Sequence, residues 1–126
     1  MNNKKLGTAF EKKMCELLSK QGYWVHFISP DARGSQPFDI IAVRDDIAVA
    51  IDCKTCEDHI FRIGRLEDNQ INAFDLWERR GNSLAYIAIL HEDKIYMMHY
   101  CDLKKYGKRL LEETSVWAEG IVLEGK

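Results

Sequence analysis

The chain of 126 residues has the size of one domain built around one core. With 46% apolar and 30% charged residues it reads as a soluble globular protein, not a disordered or fibrous one. A formal net charge of −2 excludes the strongly basic balance of a protein that holds nucleic acid by bulk charge. No apolar run approaches the ~20 residues needed to span a bilayer, and Met1-Asn2-Asn3-Lys4-Lys5 lacks the apolar core of a signal peptide. A cytoplasmic location with no membrane partner is expected, and there Cys15, Cys53, Cys56 and Cys101 would be reduced.

Asn3 to Gln21 is predicted as a helix, with Leu6, Phe10, Met14, Leu17 and Leu18 forming one buried stripe. Asn2 or Asn3 can cap its start, and Gly22 stands where a left-handed C-cap is wanted. Glu11 lies at the edge of that stripe. Tyr23 to Ile28 is aromatic and β-branched and predicts a strand, followed by a loop from Ser29 to Gln36 that holds Pro30, Arg33, Gly34 and Ser35. Strands follow at Phe38–Val43 and Ile47–Cys53, joined by the charged turn Arg44-Asp45-Asp46. On the second strand Val49, Ile51 and Cys53 alternate with Ala48, Ala50, Asp52 and Lys54, so one face is bulky and the other small, then polar. The small face is expected to leave room for a ligand. Ile60, Phe61 and Ile63 suggest a short extended piece. A second helix is expected from Leu66 to Arg80, burying Ile71, Phe74 and either Leu76 or Trp77, and ending at Gly81-Asn82. Leu84–Leu90 and Ile95–Tyr100 predict two more strands around a turn at His91–Asp93. Asp102 is positioned to cap a last helix running to about Leu111, and Val116–Leu123 can add an edge strand. The order helix, three strands, helix, two strands, helix predicts an α/β fold, an α+β mixed sheet with helices packed on it.

Two carboxylates and an ammonium converge in this pattern. Asp52 and Lys54 are two apart on one strand and share a face, and the hairpin brings Asp39 beside them. Hard cations such as Mg²⁺, or Mn²⁺ in its place, take oxygen ligands. Asp39, Asp52 and the backbone carbonyl of Cys53 can supply three, and Glu11 a fourth if the first helix lies across the sheet. An ion at such a site promotes attack of water on a phosphodiester, with Lys54 orienting the water or stabilising charge. The plainer reading of Asp52 and Lys54 is an ordinary ion pair at a strand end. Arg33, Arg62 and Arg65 flank the same stretch, and Phe61 among them is the aromatic placed to face DNA. Cys53-x-x-Cys56 with His99 and Cys101 offers four zinc-type ligands, although Cys53 alternates onto the buried face.

The residues Pro37-Phe38-Asp39, followed by Asp52-Cys53-Lys54 on the next strand, resemble the PD-(D/E)XK nuclease superfamily. Lys5-Leu6-Gly7-Thr8-Ala9-Phe10-Glu11 opening a helix that ends at Gly22-Tyr23, and Phe38-Asp39-Ile40-Ile41-Ala42, are similar to archaeal Hjc-type Holliday junction resolvases. Asp52-Cys53-Lys54-Thr55 also resembles the RecU resolvases. The likeness covers about the first eighty residues. It implies a restriction-endonuclease-like core and a metal-dependent endonuclease acting on four-way DNA junctions as a homodimer. By position it makes Glu11, Asp39 and Asp52 metal ligands, Lys54 the catalytic lysine and Gln70 an auxiliary catalytic residue. It also places Arg33 and Ser35 on a DNA-facing loop. Phe38 interrupts the literal Pro-Asp pair, and Asp52 stands where glutamate is common, so this shorter acid must sit closer to the ion. Three alternatives share these residues. They are a nuclease of the same superfamily that cuts flaps, nicks or duplex, a non-catalytic DNA-binding module with the same fold, and a zinc-stabilised interaction domain.

Overall fold

A computed structural model describes residues 3–28, 36–81 and 84–116. Helix α1 (Asn3–Lys20) buries Phe10, Met14 and Leu18, three of the stripe residues read from the sequence. The side chain of Leu6 and the Asn2 cap lie outside the described residues. Gly22 ends the helix with φ +87°. Its N–H donates to the Ser19 carbonyl, and that of Tyr23 to the Leu18 carbonyl, the bonds a left-handed C-cap makes possible.

Strands β1 (Trp24–Phe27), β2 (Ile40–Arg44) and β3 (Ile47–Thr55) follow. Asp45 and Asp46 have φ of 52° and 66°, and Arg44 pairs with Ile47. The charged turn is therefore a two-residue loop with both residues left-handed, the type whose twist matches that of the strands it joins. Glu92 and Asp93, with φ of 47° and 64°, repeat it between β5 (Ala85–His91) and β6 (Lys94–His99). With β8 (Ser115–Val116) these strands form one sheet in the order β1-β2-β3-β5-β6-β8. Only β3 and β5 run parallel, and α2 (Asp68–Arg79) lies in the connection between them. A separate two-stranded sheet pairs β4 (Ile60–Arg62) with β7 (Lys108–Leu110).

The sheet is covered on both faces. Val49, Ile51, Cys53, Tyr86 and Ala88 pack with α1, whereas Ala50, Ile87, Ile89 and Met98 pack with Phe74 of α2 and with Tyr100 and Leu103 of α3 (Tyr100–Tyr106). This corrects one expectation. The small face of β3 is not open to a ligand, since Ala50 is fully buried beneath the aromatic layer of α2. Its far end, at Asp52 and Lys54, meets a cavity. Phe74 stacks between Phe38 and Tyr100, with ring centroids 5.5 and 4.8 Å away. Trp77, not Leu76, completes the buried stripe, because its indole N–H donates to the Leu84 carbonyl at 3.1 Å while Leu76 is 48% exposed.

Three other boundaries differ from the sequence reading. Glu67 is the N-cap of α2, so the helix starts two residues after Leu66. His99, not Asp102, caps α3, and Asp102 sits inside its first turn. That helix stops at Gly107, whose φ of +75° turns the chain into β7. Of the predicted tail strand Val116–Leu123, Val116 pairs with Tyr96 of β6, the observed strand beginning one residue earlier at Ser115, and the remainder lies outside the described residues. Among the described residues no helix is long and apolar enough to cross a membrane.

Candidate metal and catalytic centre

Asp39 stands at the mouth of the β2–β3 hairpin. Its N–H donates to the Ile51 carbonyl at 3.1 Å and its carbonyl accepts from Ile28 N–H at 2.7 Å. Its side chain then takes the next position in the ladder, with Oδ2 accepting from the Cys53 N–H at 2.8 Å. Asp52, fully buried in β3, accepts from Gln70 Nε2 on Oδ1 at 2.9 Å. Its Oδ2 has no hydrogen-bond partner, although Lys54 Nζ lies 3.4 Å away. Gln70 sits in the first turn of α2 and joins the elements. Its Oε1 accepts from Lys54 Nζ at 3.3 Å and from the Glu67 N–H at 3.1 Å as part of a capping box. The amide orientation follows from its neighbours, since the reverse would aim an NH₂ at the ammonium. Glu11 reaches the same place from α1 across the end of the sheet. A polar cavity of about 140 Å³ is lined by Glu11, Gln36, Asp39, Asp52, Cys53, Lys54, Glu67 and Gln70.

This gathering of acids is electrostatically unsatisfied. Burial pushes the Glu11 carboxyl up to about 7, and the nearby Asp39 charge adds to the rise while Lys54 opposes it. Burial followed by Asp39 also lifts Asp52 well above the usual carboxylate range, again with Lys54 opposing. Among the described residues, no three carboxylate, imidazole or thiol groups yet form a closed coordination cluster. Asp39 accepts from the Cys53 N–H on one oxygen and from Gln36 Nε2 at 3.4 Å on the other, and Asp52 is shared between Gln70 and Lys54. The donor set nonetheless suits a hard divalent cation. It offers carboxylate oxygens, one of them buried and without a hydrogen bond, around a polar cavity with a single lysine among its described lining.

The sequence matches the family described as archaeal Holliday junction resolvase (Hjc) over residues 2–125. The chain belongs to the Hjc family. Among solved structures it is similar to Hjc from the archaeal hyperthermophile Archaeoglobus fulgidus, with a TM-score of 0.57 and 20% identity over 74% of this chain and 71% of that one. It is also similar to a bacterial homing endonuclease, with a TM-score of 0.55 and 15% identity over 100% of this chain and 83% of that one. At these identities the two likenesses establish the fold, a mixed α/β nuclease fold. No curated protein matches the sequence.

In this Hjc-family chain the structure brings together Glu11, Asp39, Asp52, Cys53, Lys54 and Gln70. Arg62 and Arg65 do not line that cavity but a neighbouring cleft that begins at Thr55. Arg65 Nη2 donates to the Thr55 carbonyl at 2.8 Å, and its guanidinium covers the Phe61 ring. Phe61 is fully buried, which removes it as a DNA-facing aromatic. Arg33 and Ser35 lie outside the described residues. The zinc reading fails on position, because Cys53 packs on the α1 face and Cys56 on the opposite face. Cys56 directs its thiol at the carbonyls of Asp58 and Ile60. Gln36 and Glu67 were not anticipated in the site, although Glu67-x-x-Gln70 carries the spacing of a capping box and marked the helix start.

The raised carboxyl values set a pH dependence. Glu11 ionises near 4.5 when unfolded and near 7 when folded, so the folded state holds the extra proton between those limits. Stability of the metal-free protein therefore falls as pH rises through that window. Asp52 contributes in the same direction. Glu11→Gln should flatten the decline in Tm measured in chelator between about pH 5 and pH 7. An equally steep decline in the variant would show that Glu11 is not the group responsible.

Proposed function

We propose that this chain is a metal-dependent endonuclease that resolves four-way DNA junctions. The observation that carries the reading is Asp52, a fully buried carboxylate whose Oδ2 has Lys54 Nζ 3.4 Å away and no hydrogen bond, lining a polar cavity that also holds Glu11 and Asp39. Membership of the Hjc family supports the junction as substrate. Glu11, Asp39, Asp52 and the Cys53 carbonyl would hold Mg²⁺, or Mn²⁺ in its place. When bound, the ion would make water more acidic and draw charge from the phosphate.

The chain's own residues do the rest. The Cys53 N–H and the Gln70 amide fix one oxygen of each aspartate, while the second oxygen of each meets a longer contact, from Gln36 Nε2 to Asp39 and from Lys54 to Asp52, each at 3.4 Å. Lys54, held by Gln70 and partly exposed, can donate to a phosphate oxygen or to the attacking water as the P–O bond breaks. Arg33 and Ser35, which follow β1 in the sequence, and Arg62 and Arg65, beyond Thr55, would contact the DNA backbone. A four-way junction needs two symmetric cuts, so the working unit is a two-fold homodimer. A cytoplasmic location fits this substrate and four free cysteines.

The test is to offer labelled four-way junction, linear duplex and flap DNA with Mg²⁺. Paired nicks at symmetric positions are expected, with the junction cut at least about tenfold faster, which is ~1.4 kcal/mol of transition-state discrimination. Duplex or flap cut as fast as the junction would replace this substrate assignment with another.

A further inference from the structure

The small β4–β7 sheet presents a charge arrangement that its own stability does not call for. Phe61 pairs with Arg109 on one face, whereas Ile60–Leu110 and Arg62–Lys108 pair on the other. Phe61 is fully buried, so its face anchors the ribbon and the opposite face looks outward. There Arg62 and Lys108 stand directly opposite each other, both exposed. Like charges placed directly opposite on two strands are destabilising. Among the described residues, no ion pair engages either one. The backbone beneath them is firmly held. Ile63 N–H donates to the Gly107 carbonyl at 2.9 Å, and Leu111 N–H to the His59 carbonyl at 2.8 Å, one beyond each end of the ribbon.

The ribbon also adjoins the carboxylate site. Arg65, three residues after Arg62, is bonded to the Thr55 carbonyl, one residue beyond Lys54. From Thr55 a cleft of about 440 Å³ runs to Arg62 and Arg65. Glu57 and Asp58 line it too, and Asp58 Oδ1 is engaged by the His59 N–H at 2.7 Å. A polyanion lying across the ribbon would turn the repulsion between Arg62 and Lys108 into a shared attraction.

We infer that β4–β7 is a phosphate-binding rail, with Arg62 from one strand and Lys108 from the other jointly holding the backbone of the DNA arm that leaves the carboxylate site. The inference rests on the proposed function for the identity of the polyanion. It adds Lys108, from a strand distant in sequence from the nuclease motif, and makes the ribbon the recognition unit.

The test is fluorescence anisotropy of the full chain with labelled four-way junction and labelled duplex, in chelator, across a salt series. Each lost phosphate contact lowers the log–log salt slope by about 0.9, so Arg62→Ala with Lys108→Ala should flatten it by about 2 and weaken binding about tenfold or more near physiological salt. Each single variant should give about half the change in slope. The charge-keeping pair Arg62→Lys with Lys108→Arg should retain the wild-type slope, which shows that the ribbon tolerates substitution. An unchanged slope in the double alanine variant overturns the rail. If the wild type cleaves junctions but the slope does not move, the rail falls and the nuclease reading stands. If the slope moves but the wild type cuts nothing, the rail stands and the nuclease reading falls.

Discussion

Asp52→Asn should reduce junction cleavage by about 1000-fold or more and, in the same protein, raise its stability by about 1 kcal/mol at neutral pH in chelator. The two effects have one cause. Asp52 is fully buried, its Oδ2 lacks a hydrogen bond, and Asp39 presses a like charge against it. Burying a charge without full pairing is unfavourable. Asparagine keeps the acceptor for Gln70 Nε2, and its NH₂ takes the place of Oδ2, from which the partly exposed Lys54 turns toward water. Lys54 retains the Gln70 oxygen as partner. The charge that strains the fold is the one the proposed chemistry needs, a trade-off familiar from active sites. Thermal melting and single-turnover cleavage on the same preparation check both halves. A variant that cuts at the wild-type rate removes Asp52 from the site. A less stable one shows that the buried charge was already compensated.

Lys54→Ala should lower cleavage by about 100- to 1000-fold with junction binding retained. Lys54 is the one cation among the described residues lining the cavity. It is also the group that holds Glu11 and Asp52 down against burial and Asp39. Removing it sends both carboxyls further up. More of each is then protonated at a given pH, so whatever activity survives should move to higher pH. A pH–rate profile measured at saturating Mg²⁺ and junction reads this directly. A profile that stays in place with a near-normal rate would leave Lys54 as a structural ion-pair partner only.

Much of this centre was legible in the sequence, because it depends on two short-range regularities. A two-residue turn at Asp45-Asp46 fixes the hairpin register, and the register alone carries Asp39 to the end of β3. The stripe of Phe10, Met14 and Leu18 lays α1 on the sheet with Glu11 at its rim. What depends on distant partners was harder to read. The Ala50 face looked open because alternation cannot say what covers it, and α2 covers it. Leu76 and Trp77 were equivalent by periodicity, and the Leu84 carbonyl decides for Trp77. β4 was readable as a short extended piece, but its partner β7, three residues nearly fifty positions further on, fell within the predicted last helix because so short a strand carries no pattern of its own. Gln70 was placed by resemblance, but its use of both amide ends, toward Asp52 and toward Lys54, is a property of the folded site.

The central claim is that Glu11, Asp39, Asp52 and Lys54 form one metal-dependent cutting centre. Single-turnover incubation of labelled four-way junction with wild type and Asp52→Asn, each with Mg²⁺ and with chelator, tests it most directly. The expected result is paired symmetric nicks from the wild type with Mg²⁺ alone, and none from the variant although it still shifts the junction in a binding assay. Equal cleavage by both proteins, or cleavage by the wild type in chelator, would contradict it.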